Sequence, residues 1–234
     1  MLVIQIEGNI GSGKSTVIEY IKRNLKTKAK YIIEPVSDWK NIYGYNLLEE
    51  YYNNPKENAE IFQFTAFNTM LFKYLISQNL NENIVFTERS FVTSGEIFTK
   101  LLHEKNYIRD IAYAVITNCI HLFKNICIKP DVIIYLKADE KKYDISKLLC
   151  RINERKRPEE ILNITYEYLK KLNDIYDHFM DNYYKDVLKI SIPIDISPQN
   201  QEQLNQIINF LNNQNNQNKE DFKNFAANLN KKYG

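Results

Sequence analysis

The stretch GNIGSGKST at residues 8–16 decides the fold. It follows an apolar run at 2–7, opens a helical pattern, and matches the phosphate-binding motif G-x-x-x-x-G-K-[ST]. The glycines allow backbone N–H groups to turn inward around phosphate oxygens, and the positive helix N-terminus adds to this attraction. We therefore expect a nucleoside triphosphate to bind at Gly8, Asn9, Gly11, Ser12, Gly13, Lys14, Ser15 and Thr16. Lys14 would reach the terminal phosphates, and the Ser15 hydroxyl suits Mg²⁺.

The pattern around this motif alternates strands with helices. Apolar runs predict strands at 2–7, 30–34, 83–87, 131–136 and 187–196. Helical periodicity predicts helices at 15–25, 58–79, 93–102, 108–125, 146–155 and 161–182. Strands separated by helices indicate an α/β protein with a five-stranded parallel sheet flanked by helices.

Composition excludes several classes of protein. The chain has 234 residues, 44% of them hydrophobic, and a net charge of +2, without the basic excess of a nucleic-acid binder. No run approaches the roughly 20 apolar residues of a membrane helix, and the opening residues do not resemble a signal or transit peptide. The three cysteines form no C-x-x-C motif, so we expect reduced thiols and a cytoplasmic location. Neither nucleic acid nor a membrane is an expected partner.

The C-terminal part differs in composition from the rest. Residues 1–197 read as one P-loop domain, whereas 198–234 form an Asn/Gln-rich tail, helical or mobile, with a soft linker at 212–219. Phe222, Phe225 and Leu229 recur at helical spacing in its last part. Two interpretations stay open: a terminal helix after a low-complexity spacer, or a helix that binds a partner.

An acid and a tryptophan follow the second predicted strand. Glu34 ends that strand, and in open α/β sheets the carboxyl ends of strands line the ligand crevice. A carboxylate there could take or orient a proton from an acceptor hydroxyl; the alternatives are a helix cap or a surface acid. Trp39, the single tryptophan, is a candidate wall of the same site or a packing residue.

The third predicted strand ends in Glu88-Arg89-Ser90. An acid at this place, facing the phosphate loop, could hold Mg²⁺ directly or through water. The Arg89 guanidinium would be offered to the transferring phosphoryl group or to the acceptor. The alternative is an ion pair without a role in catalysis.

Two further segments carry candidate groups. In RINERKRPEE at 151–160, Arg151 and Arg155 lie four apart and share a helix face. Near a triphosphate such a segment indicates a lid, and otherwise a solvated charged face. Gln63 lies in an otherwise apolar helical pattern, where a buried amide needs a partner. That partner could be a base edge or the backbone.

Together these motifs resemble the deoxynucleoside kinase family, the group of thymidine kinase 2, deoxycytidine kinase and the insect deoxynucleoside kinases. The resemblance runs from about residue 2 to about residue 196. Its motifs are GNIGSGKST at 8–16, EPVSDW at 34–39, NLLEEYYNNP at 46–55, FQ at 62–63, ERS at 88–90, PDVIIYL at 130–136 and RINERKRPEE at 151–160. Their order and spacing are far more specific than a P-loop alone. The resemblance implies a P-loop kinase fold, a five-stranded parallel sheet flanked by helices with an arginine-rich lid.

The resemblance implies a role for each matched residue. Glu34 would be the general base on the 5′-hydroxyl, with Arg89 beside it. Lys14 would bind the phosphates. Glu88 and Ser15 would bind the metal. Gln63 would bind the base, with Phe98 stacking on it. The implied substrate pocket also contains Trp39, Leu48, Tyr52, Met70, Ser94 and Glu160, of which Tyr52 and Glu160 would hold the 3′-hydroxyl. Arg151, Arg155 and Arg157 would be the lid arginines, and the family implies ATP, Mg²⁺ and a homodimer formed through a helix bundle.

Two positions bear on the choice of base. Family members that accept purines and cytosine carry an Arg seven residues after the glutamine, and an Asp after the ERS motif. Met70 and Ser94 stand at those places here. The insect and thymidine-accepting members of the family have apolar or small residues there. The loss of an Arg–Asp pair leaves room for a 5-methyl group. We therefore expect a pyrimidine substrate, with thymidine favoured, although Tyr51 and Ala66 could reshape the same region.

Two other functions compete with this interpretation. A thymidylate kinase would share the fold, but such enzymes have an Arg just before the Glu-Pro pair, where this chain has Ile33. A non-catalytic structural protein on the same fold would tolerate loss of Lys14, Glu34 or Arg89, and all three are present.

Overall fold

The computed structural model describes residues 1–78, 82–138, 144–193, 198–213 and 219–233. Within them, five strands form one parallel sheet in the order β2-β3-β1-β4-β5. The strands are β1 Leu2–Gly8, β2 Lys30–Ile32, β3 Ile84–Glu88, β4 Val132–Lys137 and β5 Leu188–Pro193. The predicted α/β fold with a five-stranded parallel sheet is confirmed.

Helices cover both faces of the sheet, as an all-parallel sheet requires. Up to β4 they are α1 Lys14–Asn24, α2 Val36–Trp39, α3 Leu47–Asn53, α4 Pro55–Gln78, α5 Phe91–Thr93, a π-helix Ser94–Thr99, α6 Lys100–Glu104 and α7 Asp110–Phe123. After β4 they are α8 Asp144–Glu154, α9 Pro158–Asn163, α10 Tyr166–Asn182, α11 Pro198–Asn213 and α12 Lys219–Tyr233. No described helix is both long and apolar enough to cross a membrane.

The core consists of two apolar clusters, one on each face of the sheet. Ile4 and Ile6 of β1 pack with α1, α8, α11 and α12 on one face. On the other face, Ile133 and Tyr135 of β4 pack with α4, α7 and α10. Alternate residues along a strand point to opposite faces, so the continuous apolar runs of the sequence serve both clusters.

Several element boundaries differ from the prediction. The single helix predicted over 161–182 is wrong: α9 ends at Asn163, and α10 begins after Thr165, whose hydroxyl accepts a hydrogen bond from the Tyr168 amide. Strand β2 ends at Ile32, so Glu34 lies in the loop that follows it. The short helix α3 was not predicted, although the Asn46 side chain caps it by accepting from the Glu49 amide.

The two C-terminal helices pack on the sheet. Ile207 and Leu211 of α11 and Phe222 and Ala226 of α12 are buried in the same cluster as β1. Parts of the predicted linker and of the fifth predicted strand, at 214–218 and 194–196, lie outside the described residues. The division into a domain 1–197 and a tail 198–234 stays a prediction.

The sheet brings two motifs to one edge. Ile6 of β1 lies opposite Glu88 of β3, and the Arg89 amide donates to the Ile6 carbonyl at 3.0 Å. The phosphate loop follows β1, so residues 8–16 and the ERS motif meet at the carboxyl ends of adjacent strands, where open α/β sheets bind ligands.

Candidate active site

The phosphate loop depends on backbone conformations that favour glycine. Gly11 and Gly13 have φ values of 78° and 95°, in the region that L side chains rarely adopt. A Cβ on Gly11 would also lie 2.7 Å from the Leu148 carbonyl oxygen of α8. The loop therefore packs directly beneath α8, and Asn9 ties it to α10 by donating to the Leu169 carbonyl at 2.9 Å.

Lys14 lies buried at the centre of this loop. Its Nζ donates to the carbonyl oxygens of Gly8 at 3.0 Å and Asn9 at 2.8 Å. Burial, and after it the nearby Arg89 charge, lower the pKa of Lys14 to about 7, although Glu34 and Glu88 oppose the shift. The nearby carboxylates therefore do not fully offset the cost of burying the ammonium group.

Ser15 and Glu88 meet at the open side of the loop. The Ser15 hydroxyl donates to Glu88 Oε1 at 2.8 Å, and Ser15 is exposed. Among the described residues no group of three or more His, Cys, Asp or Glu side chains could hold a metal. A hydroxyl beside a carboxylate fits a Mg²⁺ ion that takes its remaining ligands from water and phosphates.

Glu34 and Arg89 form an ion pair beside the phosphate loop. Arg89 Nη1 lies 2.5 Å from Glu34 Oε1, with 7% and 15% of the two side chains exposed. Arg89 has a φ of 58°, a left-handed conformation that costs a non-glycine residue about 1–3 kcal/mol. Its guanidinium also lies over the Phe98 ring, 4.9 Å from the centroid. The carboxylate and guanidinium are thereby held at the junction of β1, β2 and β3.

A cavity of about 390 Å³, the acceptor cavity, opens from this ion pair. Its apolar wall contains Trp39, Tyr51 and Phe62; the rings of Tyr51 and Phe62 stack at 4.6 Å, and Trp39 meets Phe62 edge-on at 5.4 Å. All the predicted substrate residues line it: Glu34, Trp39, Leu48, Tyr52, Gln63, Met70, Arg89, Ser94, Phe98 and Glu160. Lys14, Ser15, Thr16 and Glu88 line the same cavity from the phosphate side.

Two buried polar groups, Gln63 and Glu160, line the acceptor cavity. Gln63 is 3% exposed, and its Oε1 lies 3.4 Å from the Thr99 hydroxyl, which also reaches the Ser94 carbonyl at 3.1 Å. Glu160 Oε1 accepts from Arg157 at 2.6 Å, whereas no described residue bonds its buried Oε2. A buried acceptor without a protein partner indicates a donor supplied by water or ligand.

A second cavity of about 360 Å³, the donor cavity, lies on the other side of the phosphate loop. Its lining includes Gly13, Arg151, Pro193 and Leu204, the last from α11. Arg151 Nη1 lies 3.4 Å from the Ser12 carbonyl oxygen. Arg155 lines both cavities, and Arg157 only the acceptor cavity. The predicted lid segment thus spans the boundary between them.

Comparison with known protein families shows that the family model for deoxynucleoside kinases matches residues 4–225. The chain belongs to the deoxynucleoside kinase family. It is an ATP-dependent deoxynucleoside kinase, and the resemblance carried by its motifs is confirmed. A kinase of this family works with a divalent metal, for which Ser15 and Glu88 are the candidate protein ligands.

Relatives of the kinase are named after different nucleosides. A protein of Invertebrate iridescent virus 6 named as a kinase is 35% identical, over 75% of this chain and 80% of its own. A probable deoxycytidine kinase of Fowlpox virus is 31% identical, over 81% and 76%. Human mitochondrial thymidine kinase 2 is 28% identical, over 76% and 64%. Both cytidine-named and thymidine-named enzymes are thus similar to this kinase.

Sequence reasoning missed several residues of the site. The helical patterns of the sequence predict core packing for Phe62, Thr99, Tyr168 and Tyr176, and only their contacts connect them with the site. Phe62 could have been found, because it precedes the buried Gln63 within the FQ motif. No sequence pattern predicts the π-helix. Gly95 within it allows close packing on α7, because a Cβ there would lie 1.7 Å from Ile120 Cδ1.

Proposed function

We propose that the kinase transfers the γ-phosphate of ATP to the 5′-hydroxyl of a pyrimidine deoxynucleoside, with thymidine favoured, in the salvage of DNA precursors. One observation carries the proposal: a cavity of nucleoside size has an apolar aromatic wall and ends in the Glu34–Arg89 pair, directly against the phosphate loop. An acceptor hydroxyl at that end would lie between a carboxylate and the phosphates.

The proposed chemistry depends on positioning and electrostatics. Glu34 accepts or orients the proton of the 5′-hydroxyl, and Arg89 stabilises the charge that develops next to it. Lys14, with a pKa lowered by burial, gains a counter-charge when a triphosphate enters the loop. Arg151, Arg155 and Arg157 approach the phosphates as the lid closes.

Sugar and base are proposed to bind at opposite parts of the acceptor cavity. The unpartnered Glu160 Oε2, with Tyr52, is suited to the sugar 3′-hydroxyl. Gln63 pairs with the polar edge of the base, Trp39 and Leu48 wall the cavity, and Phe98 stacks on the base.

The preference for thymidine depends on the end of the cavity near α4 and the π-helix. Met70 and Ser94 are 6% and 5% exposed, and both line the cavity. A flexible thioether and a short hydroxyl leave space for the thymine 5-methyl group. They also provide no charged pair for the exocyclic amine of cytosine or adenine.

Mg²⁺ is the proposed metal, held with ATP by Ser15 and Glu88. When bound, it would neutralise phosphate charge and polarise the transferred group. The protein's own part is to keep the Ser15 hydroxyl and the Glu88 carboxylate 2.8 Å apart on the phosphate side of the cavity.

A homodimer is proposed through α4 and α7. These helices contact each other and expose a run of large apolar side chains: Ile61, Phe64, Phe72 and Ile76 from α4, and Ile111, Val115 and Leu122 from α7. Exposed apolar surface of this kind marks interfaces. A cytoplasmic location is also proposed, since Cys119, Cys127 and Cys150 are all free thiols.

Phosphate transfer from labelled Mg-ATP to each of the four deoxynucleosides, and to thymidine monophosphate, tests the proposal. Transfer to thymidine, and more weakly to deoxycytidine, is the expected result. Strong transfer to a purine deoxynucleoside would overturn the assigned base. Transfer only to the monophosphate would favour the thymidylate kinase alternative.

A further inference from the structure

Arg89 is held by more groups than its ion pair. Its Nε donates to the Tyr176 hydroxyl at 3.0 Å, its Nη1 to Glu34 at 2.5 Å, and its Nη2 to the Gly8 carbonyl oxygen at 3.4 Å. The three nitrogens of the guanidinium therefore have three different acceptors. These come from α10, from the loop after β2, and from the phosphate loop.

Two N–H groups of the Arg89 guanidinium have no acceptor among the described residues. A guanidinium carries five N–H groups in one plane: one on Nε and two on each terminal nitrogen. The bonds to described residues occupy three of them, which leaves one N–H on Nη1 and one on Nη2. These are the donors that could reach the acceptor oxygen or the transferred phosphoryl group, and their direction depends on the rotation of the planar group.

Tyr176 restricts that rotation from a rigid position. It belongs to α10, is fully buried, and its ring meets Phe98 edge-on at 6.1 Å and stacks with Tyr135 at 6.4 Å. Phe98 in turn lies under the same guanidinium. A bond to Nε fixes the inner edge of the guanidinium, so the bond to Glu34 need not set its orientation alone.

We propose that Tyr176 is a positioning residue for phosphoryl transfer: its hydroxyl anchors Arg89 Nε, so that the free N–H groups on Nη1 and Nη2 face the junction of Glu34 and the phosphate loop. This inference rests on the proposed function. It predicts that Tyr176 acts on turnover rather than on substrate binding, because the residue does not line the acceptor cavity.

The first test is Y176F, which removes the hydroxyl and keeps the ring. We expect kcat for thymidine to fall about tenfold with KM within twofold, because a misplaced charged donor weakens the transition state more than the bound substrate. Y135F is the matched control: Tyr135 is also buried, stacks on Tyr176 and uses its hydroxyl on Asp177 at 2.8 Å, away from Arg89. It should keep kcat within twofold.

A double-mutant cycle separates positioning from packing. Lysine has no Nε donor, so Y176F should lower kcat less than twofold in an R89K background, whereas loss of packing would lower it by the same factor in both backgrounds. If R89K is too slow to measure, Y176F and Y135F decide by the split between kcat and KM. An unchanged kcat in Y176F, a change in KM alone, or an equal loss in Y135F would overturn the inference. A wild-type enzyme without any transfer to deoxynucleosides would instead contradict the proposed function.

Discussion

The two cavities beside the phosphate loop are similar in volume and differ in construction. The acceptor cavity is formed by side chains from many elements, among them Trp39 of α2, Tyr51 of α3 and Gln63 of α4. The donor cavity is lined by residues 11–13 of the phosphate loop, by lid residues, by the end of β5 and by residues of α1, β4 and α11. Backbone N–H groups recognise phosphate whatever side chains surround them. We therefore propose that the acceptor cavity selects the substrate, so a substitution can act on one cavity or on both.

The largest effect is expected where the two cavities meet. E34Q removes the carboxylate that is proposed to take the 5′-hydroxyl proton, while the amide oxygen can still accept from Arg89. We expect kcat to fall by about 10²–10⁴-fold, the usual contribution of general-base catalysis. The KM for thymidine should stay within a few-fold, as steady-state kinetics would show.

The control for E34Q is E19Q, because Glu19 forms an exposed ion pair with Lys22 on α1. It should leave kcat unchanged. Full activity in E34Q would contradict the assignment of the base.

The next effect should be confined to the acceptor cavity. M70R/S94D replaces a thioether and a hydroxyl by an Arg–Asp pair, which fills the space for the 5-methyl group and offers partners to an exocyclic amine. We expect kcat/KM to shift about 100-fold from thymidine toward deoxycytidine, measured by competition between the two nucleosides. M70L, which conserves volume, should keep the original ratio. An unchanged ratio in the double variant would show that other residues select the base.

A smaller effect should be confined to the donor cavity. Arg151 lines only that cavity, so R151A should raise the KM for ATP about tenfold, as expected for a lost charged contact, and leave the KM for thymidine within twofold. R155A should change both constants, because Arg155 lines both cavities. Equal effects of R151A on the two substrates would contradict the separation of the cavities.

The last effect concerns stability rather than turnover and involves Glu7, which is buried at the end of β1 beneath the loop. Burial raises the pKa of Glu7 from 4.5 to about 7, although bonds from Thr93 and Gln5 oppose the shift. The folded state therefore holds this proton where the unfolded state has lost it. The resulting stability is full below pH 4.5 and is lost as pH rises to about 7, by up to about 3 kcal/mol.

E7Q should remove this part of the pH dependence. Denaturant unfolding at pH 4.5 and pH 7.5 should show a smaller loss of stability in E7Q than in the wild type. E19Q again serves as the control, since Glu19 is exposed on α1. Parallel pH profiles for wild type and E7Q would show that folding does not raise the pKa of Glu7.

The same contrast explains how much could be predicted from sequence. The phosphate loop and the sheet are local: 8–16 encodes its own turn, and each apolar run encodes its own strand. The pocket residues were found through the resemblance to a family, whereas Thr99 and Tyr176 were missed. Both lie on the buried face of a helix, where the pattern predicts core packing; α10, which carries Tyr176, is amphipathic. The break at Thr165 was missed because a single capping hydroxyl interrupts an otherwise continuous helical pattern.

We propose that the two cavities meet at the 5′-hydroxyl of a bound deoxynucleoside. Incubation of the kinase with γ-labelled Mg-ATP and either thymidine or 5′-deoxythymidine, which lacks that hydroxyl, tests it most directly. We predict label on the 5′-oxygen of thymidine, no label on 5′-deoxythymidine, and competition between the two for the site. Label on the 3′-oxygen, or labelling of 5′-deoxythymidine, would contradict the placement of the acceptor against Glu34 and Arg89.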